Sequence, residues 1–330
     1  MKIAFVTEMG FEGKIASDHP NMRTEFAWMY ALDADHFNIH DYQEIRNYDH
    51  IFIIFPKGEV YLNAVGAQLT TKVNPTTHLL GSNIVSTLKH ANNMVHYVQE
   101  GPHWLYNDYE MVDQTNFYNM LVSCDSIFAH NEYDVKYYKG LIPNKPIHTI
   151  PTLLIEHNLT DIVPSKQNKS IIGGNFARWY GGFESYIVAQ EFGTEVWGQT
   201  SHCTRVHEDQ LVRHLPRVDW LDWMRQLSSF RYAVHLMPTV AAGTFSLNCA
   251  YFGIPCIGNI NVDTQKYCHP LLSVDVADLD AARIKARQLA TDNDYYEHCS
   301  RMAQENYRIY YDISLFKQKI NSILSKSIKQ

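Results

Sequence analysis

The chain has 330 residues, 45% of them hydrophobic, which is enough for two ordinary domains with full cores and excludes a disordered chain. Its formal charge of −7 argues against a protein that grips nucleic acid over its whole surface, but leaves room for a local basic groove. No apolar run reaches the length of a membrane span, residues 1–10 lack a cleavable signal pattern, and the six cysteines include no CxxC pair. The expectation is a cytoplasmic protein with reduced, mostly buried thiols.

In chain order, 2–7 reads as a first, central strand, followed by a Gly-containing loop over 8–20. Asn21 is a candidate cap for a helix over 22–32, with Phe26, Met29 and Tyr30 on one face. Strands follow at 37–42 and 50–55, the second apolar almost throughout, as when both faces of a sheet are covered. Residues 60–90 read as mainly helical. Then come strand 93–99, helix 115–124, strand 126–130, helix 133–141 and strand 147–154. The polar stretch 156–169, with Pro164, breaks the rhythm and marks a domain boundary. The alternation resumes with strand 170–173, helix 183–192, strand 194–198, helix 220–227, strand 232–237, helix 245–252 and strand 254–257. Strand 271–276 and helices 279–290, 295–311 and 315–328 complete the chain. Strand alternating with helix predicts an α/β protein of two Rossmann-like, doubly wound parallel-sheet domains facing a cleft. The domains are expected at 1–160 and 161–330, and the last helix is a candidate to pack back on the N-terminal domain.

Three stretches carry candidate chemistry. Residues 232–258 read as strand, small-residue loop, helix and strand, with Gly243 and Thr244 at the start of the helix. A helix N-terminus offers unpaired N–H groups and a partial positive charge to phosphate. Gly243 permits close backbone approach, and Thr244 and Ser246 are candidate hydroxyl donors; an ordinary buried helix with a Thr cap is the plain alternative. Residues 171–185 place Arg178 between two glycine pairs, Gly173-Gly174 and Gly181-Gly182, where it can hold a diphosphate bidentately; a flexible connector with a solvated Arg is the plain alternative. Residues 98–108 place Glu100 at a strand end before Gly101-Pro102, as a general-base candidate, with His103 and Asp108 as alternates; a Glu that caps or bridges the loop is the plain alternative.

Other patterns carry less. Asp33-Ala-Asp35, Asp278-Leu-Asp280 and Asp292-Asn-Asp294 match a D-x-D metal pattern but read better as turns or caps, with Asp278 capping the next helix. His202, Cys203 and His207 fit no zinc spacing. Gly10 and Gly13 do not make G-x-G-x-x-G, and no Walker A motif is present. Arg205, Arg213, Arg217, Arg225 and Arg231 read as snorkelling surface residues.

Taken together, these stretches resemble the GT-B glycosyltransferases. Gly173-Gly174-Asn175-Phe176 with Arg178 and the later Glu184-Ser185 is similar to the donor-diphosphate loop of phage glucosyltransferases acting on hydroxymethylcytosine in DNA. Gly253 and Pro255 match the end of the family's donor helix, while Asn248, Val240 and Gly181 stand where that family commonly has Glu, an acidic residue and Lys. The resemblance implies a metal-independent transferase with no cofactor beyond a nucleoside-diphosphate sugar, expected to be UDP-linked. It implies Glu100 as base, and a donor held by Gly174, Asn175, Arg178, Gly243, Thr244, Phe245, Ser246 and Asn248, with His103 and Trp104 beside the acceptor. The expected acceptor is a hydroxymethylated base in phage DNA, stacked on Trp104, Tyr106 or Trp179, which would put the enzyme in the host cytoplasm. A glycan or small-molecule acceptor, a sugar-nucleotide epimerase and a non-catalytic nucleotide-sugar sensor are the rival expectations.

Overall fold

The computed structural model describes residues 1–7, 13–38, 45, 47–54, 85–90, 92–98, 111–173, 180–199 and 211–327. The chain forms two units: Met1–Ala16, Glu25–Pro151 and Phe316–Gln330 make the first, and Ser17–Thr24 and Thr152–Leu315 the second.

The first unit holds β1 (Ile3–Thr7), β2 (Gly13–Lys14), β3 (Asp35–Asn38), β4 (His50–Ile53), β5 (Met94–Val98), β6 (Ser126–Ala129) and β7 (Ile147–Thr149). They form a 7-stranded sheet in the order β2-β3-β1-β4-β5-β6-β7. All pairings are parallel except β2 with β3. Successive side chains in a strand point to opposite faces, and here both faces are buried. One is mainly aliphatic: Val6, Ile51, Ile53, Val95 and Ile127 pack with Phe117, Met120 and Tyr138 from helices Met111–Ser123 and Glu132–Leu141. The other is aromatic: Phe5 stacks on Phe52 at 4.7 Å, and His96 lies 4.8 Å from Phe52 and 5.2 Å from Phe128. Trp28 of helix Glu25–Ala31 packs 5.6 Å from Phe316 of the last helix, Ile313–Ser327, and its indole N–H donates to the Pro151 carbonyl at 3.1 Å.

The second unit holds β8 (Gln167–Ile172), β9 (Glu195–Gln199), β10 (Arg213–Leu215), β11 (Phe230–His235), β12 (Cys256–Asn259) and β13 (Ser273–Val274). They form a 6-stranded sheet in the order β10-β9-β8-β11-β12-β13, parallel throughout. The chain builds outward from β8 in one direction, then crosses back to start β11 on the other side. That reversal opens a crevice at the carboxyl ends of β8 and β11, the usual place for a ligand in such sheets. Ile172, Val234 and Ile257 fill the core with Val188, Phe192, Leu289 and Tyr296 from the flanking helices.

Several expectations change. The first helix starts at Glu25, not at residue 22, and Asn21 does not cap it. Asn21 instead accepts from Arg23 Nε at 2.6 Å, and Thr24 sits at φ 47°. The preceding segment is tied into the second unit, where Asn158 Nδ2 donates to the Ser17 carbonyl and the Trp220 N–H to the Pro20 carbonyl, so the helix cannot extend backward. Its buried side chains are Ala27, Trp28, Met29 and Ala31, with Phe26 and Tyr30 half-buried. Strand β7 ends at Thr149, ahead of Pro151, which has no N–H to continue a ladder. Strand β10 and the short helix Asp263–Cys268 were not anticipated. Most of the expected helical stretch at 60–90 lies outside the described residues.

Asp278 and Asp292 cap helices, while Asp33 lies in a turn and Asp35 in β3. Asp278 Oδ1 accepts from the Ala281 N–H at 3.0 Å and Asp292 Oδ1 from the Tyr295 N–H at 2.9 Å. Among the described residues no group of three or more His, Cys, Asp or Glu is placed to hold a metal ion. Cys124, Cys249, Cys256, Cys268 and Cys299 are buried free thiols. No described helix is long and apolar enough to cross a membrane.

Candidate functional site

At the end of β11, His235, Leu236 and Met237 lead into a loop that delivers the chain to helix Thr244–Phe252. The residue before that helix is Gly243, at φ 77°, ψ 26°. A side chain there would be strained by the left-handed backbone and would collide with a neighbour: a Cβ would lie 2.0 Å from Thr264 Oγ1. Glycine offers no side-chain cap, and the first intrahelical bond runs from the Leu247 N–H to the Gly243 carbonyl. The N–H groups of Thr244, Phe245 and Ser246 therefore have no intrahelical acceptor, and the first turn carries no acidic residue. This is an uncapped positive helix end at the mouth of the crevice, suited to an anion.

A polar bracket holds that turn from behind. Thr264 Oγ1 donates to the Gly243 carbonyl at 2.8 Å and lies 2.7 Å from Ser246 Oγ. His269 Nε2 donates to the Ser246 carbonyl at 3.0 Å, and its Nδ1 accepts from the Cys256 N–H at 3.4 Å. Burial pushes the His269 pKa down to about 4, so the ring is neutral and this donor–acceptor pairing fits it. Ser246 is only 2% exposed and its hydroxyl is engaged in the bracket. The expectation that its hydroxyl faces a ligand is therefore corrected: it is its backbone N–H that belongs to the open turn. Thr244 and Phe245 keep partly exposed side chains there. Asn248 lies one turn further along, 7% exposed, with no side-chain hydrogen bond among the described residues.

On the β8 side, Gly173 follows the strand directly, and its N–H donates to the Val234 carbonyl at 2.8 Å. A Cβ at Gly173 would sit 2.6 Å from the His235 ring and 2.8 Å from Phe245 Cδ1. Gly173, His235 and Phe245 thus meet at one point, from the ends of β8 and β11 and the first turn of the helix. Gly181 lies at φ 61°, where a Cβ would come 2.0 Å from the Leu236 carbonyl oxygen. This explains why no lysine stands at 181: the backbone of the next segment occupies that space. Four residues on, Ser185 Oγ accepts from the Leu236 N–H at 2.9 Å. Ser185 is therefore a docking residue of helix Gly182–Ala189, while Glu184 is exposed. Ser185→Ala would leave the buried Leu236 N–H without its acceptor, and unfolding in urea should show a loss of about 1–3 kcal/mol.

The described structure thus brings together Gly243, Thr244, Phe245, the Ser246 backbone and Asn248. Gly174, Asn175 and Arg178, and likewise Glu100, His103, Trp104, Tyr106, Asp108 and Trp179, lie outside the described residues. Reading the sequence missed Thr264, His269 and His235. Thr264 sits in a helix too short to show a period. His235, by contrast, is the polar residue inside the apolar stretch 232–237, which is a signal the sequence offers.

No protein-family model matches the chain, and no curated protein does. Solved structures do match. An alpha-glucosyltransferase in complex with UDP and a 13-mer DNA containing an HMU base superposes with a TM-score of 0.62 at 11% identity, covering 98% of this chain and 99% of that one. HepE of Anabaena in complex with UDP-glucose gives 0.65 at 10% identity, covering 99% and 100%. TarM of S. aureus, in a complex containing UDP and alpha-GlcNAc-glycerol, gives 0.60 at 10% identity, covering 83% of this chain and 55% of that one. Matching over nearly its whole length, with two wound parallel sheets, the chain has the GT-B glycosyltransferase fold.

Proposed function

We propose that the protein is a glycosyltransferase that moves a sugar from a UDP-linked donor to an acceptor hydroxyl. The observation that carries this reading is the uncapped helix end at Gly243–Thr244, set in the crevice where the strand order of the second sheet reverses. Such an end stabilises a diphosphate in the ground state and, more strongly, the charge that collects on it as the sugar departs. The UDP and UDP-glucose bound to structural neighbours support the choice of nucleotide. Asn248 is assigned to a ribose hydroxyl of the nucleoside and Arg178 to the diphosphate, as its glycine-flanked loop suggests.

Glu100 is proposed as the base that takes the proton from the acceptor hydroxyl as that oxygen attacks the anomeric carbon. Glu100→Gln should lower turnover about a hundredfold or more while UDP affinity holds. Arg178→Ala should do the reverse first, weakening UDP binding by about tenfold or more. A fully active Glu100→Gln variant, or unchanged UDP affinity in Arg178→Ala, would remove the corresponding role.

For the acceptor, a hydroxymethylated base in DNA is the first reading, supported by the neighbour bound to DNA with an HMU base. Such an enzyme must draw the base out of the stack, with Trp104, Tyr106 and Trp179 as the aromatic candidates to receive it. The formal charge of −7 and the equally good match to HepE favour a second reading, a glycan or small-molecule acceptor. Mass spectrometry of hydroxymethylated DNA incubated with enzyme and UDP-glucose separates them: a hexose mass added to the base supports the first. UDP release with unmodified DNA, growing when a glycan or polyol is added, supports the second.

A further inference from the structure

We propose that His235 is a ligand-binding residue of this site, its Nε2 atom reaching a phosphoryl oxygen of the nucleoside diphosphate held at the ends of β8 and β11. The inference rests on the reading just given and names a contact within it. Nε2 of His235 is buried and meets no hydrogen-bond partner among the described residues. A buried polar atom left unpaired costs stability, and its persistence calls for an explanation. The ring cannot turn away to find another partner. Gly173 closes one side so tightly that even a methyl group there would overlap the ring, and Phe245 meets it edge-on, with centroids 5.1 Å apart. Phe245 belongs to the first turn of helix Thr244–Phe252, so the clamped imidazole stands beside the same open N–H groups that suit an anion. Burial alone lowers its pKa to about 4, and no charged neighbour contributes. The ring is thus neutral near pH 7 and offers a hydrogen bond rather than a charge, contributing directionality where the helix end contributes field.

Two variants separate a binding role from a packing role. His235→Leu removes the polar atom, whereas His235→Gln carries an amide N–H to about the position of Nε2. UDP binding is measured by calorimetry, and ligand-free melting in parallel. His235→Leu should bind UDP about tenfold more weakly while melting no lower than wild type, because a buried unpaired atom has been removed. His235→Gln should keep UDP affinity within about threefold. A packing residue would instead lower the melting temperature and leave affinity alone. If the Leu variant fails to fold, His235→Met makes the same comparison. Equal UDP affinity in wild type and His235→Leu (or His235→Met) overturns the assignment while the site reading stands. No UDP binding by the wild type overturns the site reading, and the assignment with it.

Discussion

Lowering the pH from 7.5 to 5 should destabilise this protein by several kcal/mol, well before most carboxylates titrate. The cause is a set of histidines held neutral by burial. His50, His235 and His269 are pushed down to about 4, and His96 well below its usual value. Between 6.5, where the unfolded chain takes up these protons, and about 4, the folded chain refuses them. Stability is therefore present above 6.5, falls as the pH drops through that window, and levels off only as the folded rings finally protonate. Each such histidine contributes a slope of about 1.4 kcal/mol per pH unit.

The first unit shows why the rings stay neutral. His50 Nδ1 and His96 Nε2 are 2.9 Å apart, and His96 Nδ1 is 2.8 Å from Ser126 Oγ. Only one proton fits between the two imidazoles, and Phe52 and Phe128 pack apolar rings against His96. Charging both rings would set two N–H groups face to face. Since folded proteins hold only about 5–15 kcal/mol of net stability, urea titrations at pH 7.5, 6.5 and 5.5 should show a clear fall in midpoint over the last step. A midpoint that stays level from 7.5 to 5.5 would mean that these rings are hydrated or protonated in the native protein.

Replacing Gly243 by alanine should damage both folding and nucleotide binding. The left-handed backbone alone costs an alanine about 1–2 kcal/mol. The new Cβ would also stand where Thr264 Oγ1 now lies, forcing it off the Gly243 carbonyl and away from Ser246. Loss of those hydrogen bonds adds about 1 kcal/mol each, for a total near 3 kcal/mol. The open N–H groups of the first turn then lose their aim, and UDP affinity should fall by more than tenfold. Adding Thr264→Ala relieves the clash, so the double variant should be less destabilised than the sum of the two singles. Additive losses would show that Gly243 and Thr264 do not meet. A Gly243→Ala protein with normal melting and normal UDP affinity would remove this turn from the site.

The wound α/β architecture was legible because parallel sheets covered on both faces produce short apolar runs separated by helical periods, as in His50–Ile53 and Phe230–His235. Helix Thr244–Phe252 was legible for a different reason: Gly243 and Gly253 bracket an apolar run at both ends. The elements that escaped notice were those whose sequence carries no period. Arg213–Leu215 is a three-residue edge strand, and Asp263–Cys268 makes fewer than two turns. The start of the first helix is not legible in the sequence because the contacts holding Ser17 and Pro20 involve Asn158 and Trp220, far along the chain. The same limit applies to the site. Glycines that need special backbone reveal themselves singly, so Gly243 was found. The inward turn of Ser246 depends on Thr264, and the clamping of the His235 ring with its buried, unpartnered Nε2 depends on Gly173 and Phe245, all meetings that only folding creates.

A diphosphate site at the Gly243 turn is tested by thermal melting of the purified protein with UDP, GDP, CDP, NAD or buffer alone. A ligand at about a hundred times its dissociation constant adds roughly 2.7 kcal/mol to the unit that binds it. UDP should raise the melting temperature, GDP and CDP should raise it less or not at all, and NAD should leave it unchanged. No shift with any nucleoside diphosphate, or a shift with NAD alone, would contradict a diphosphate site at the Gly243 turn and the transferase reading built on it.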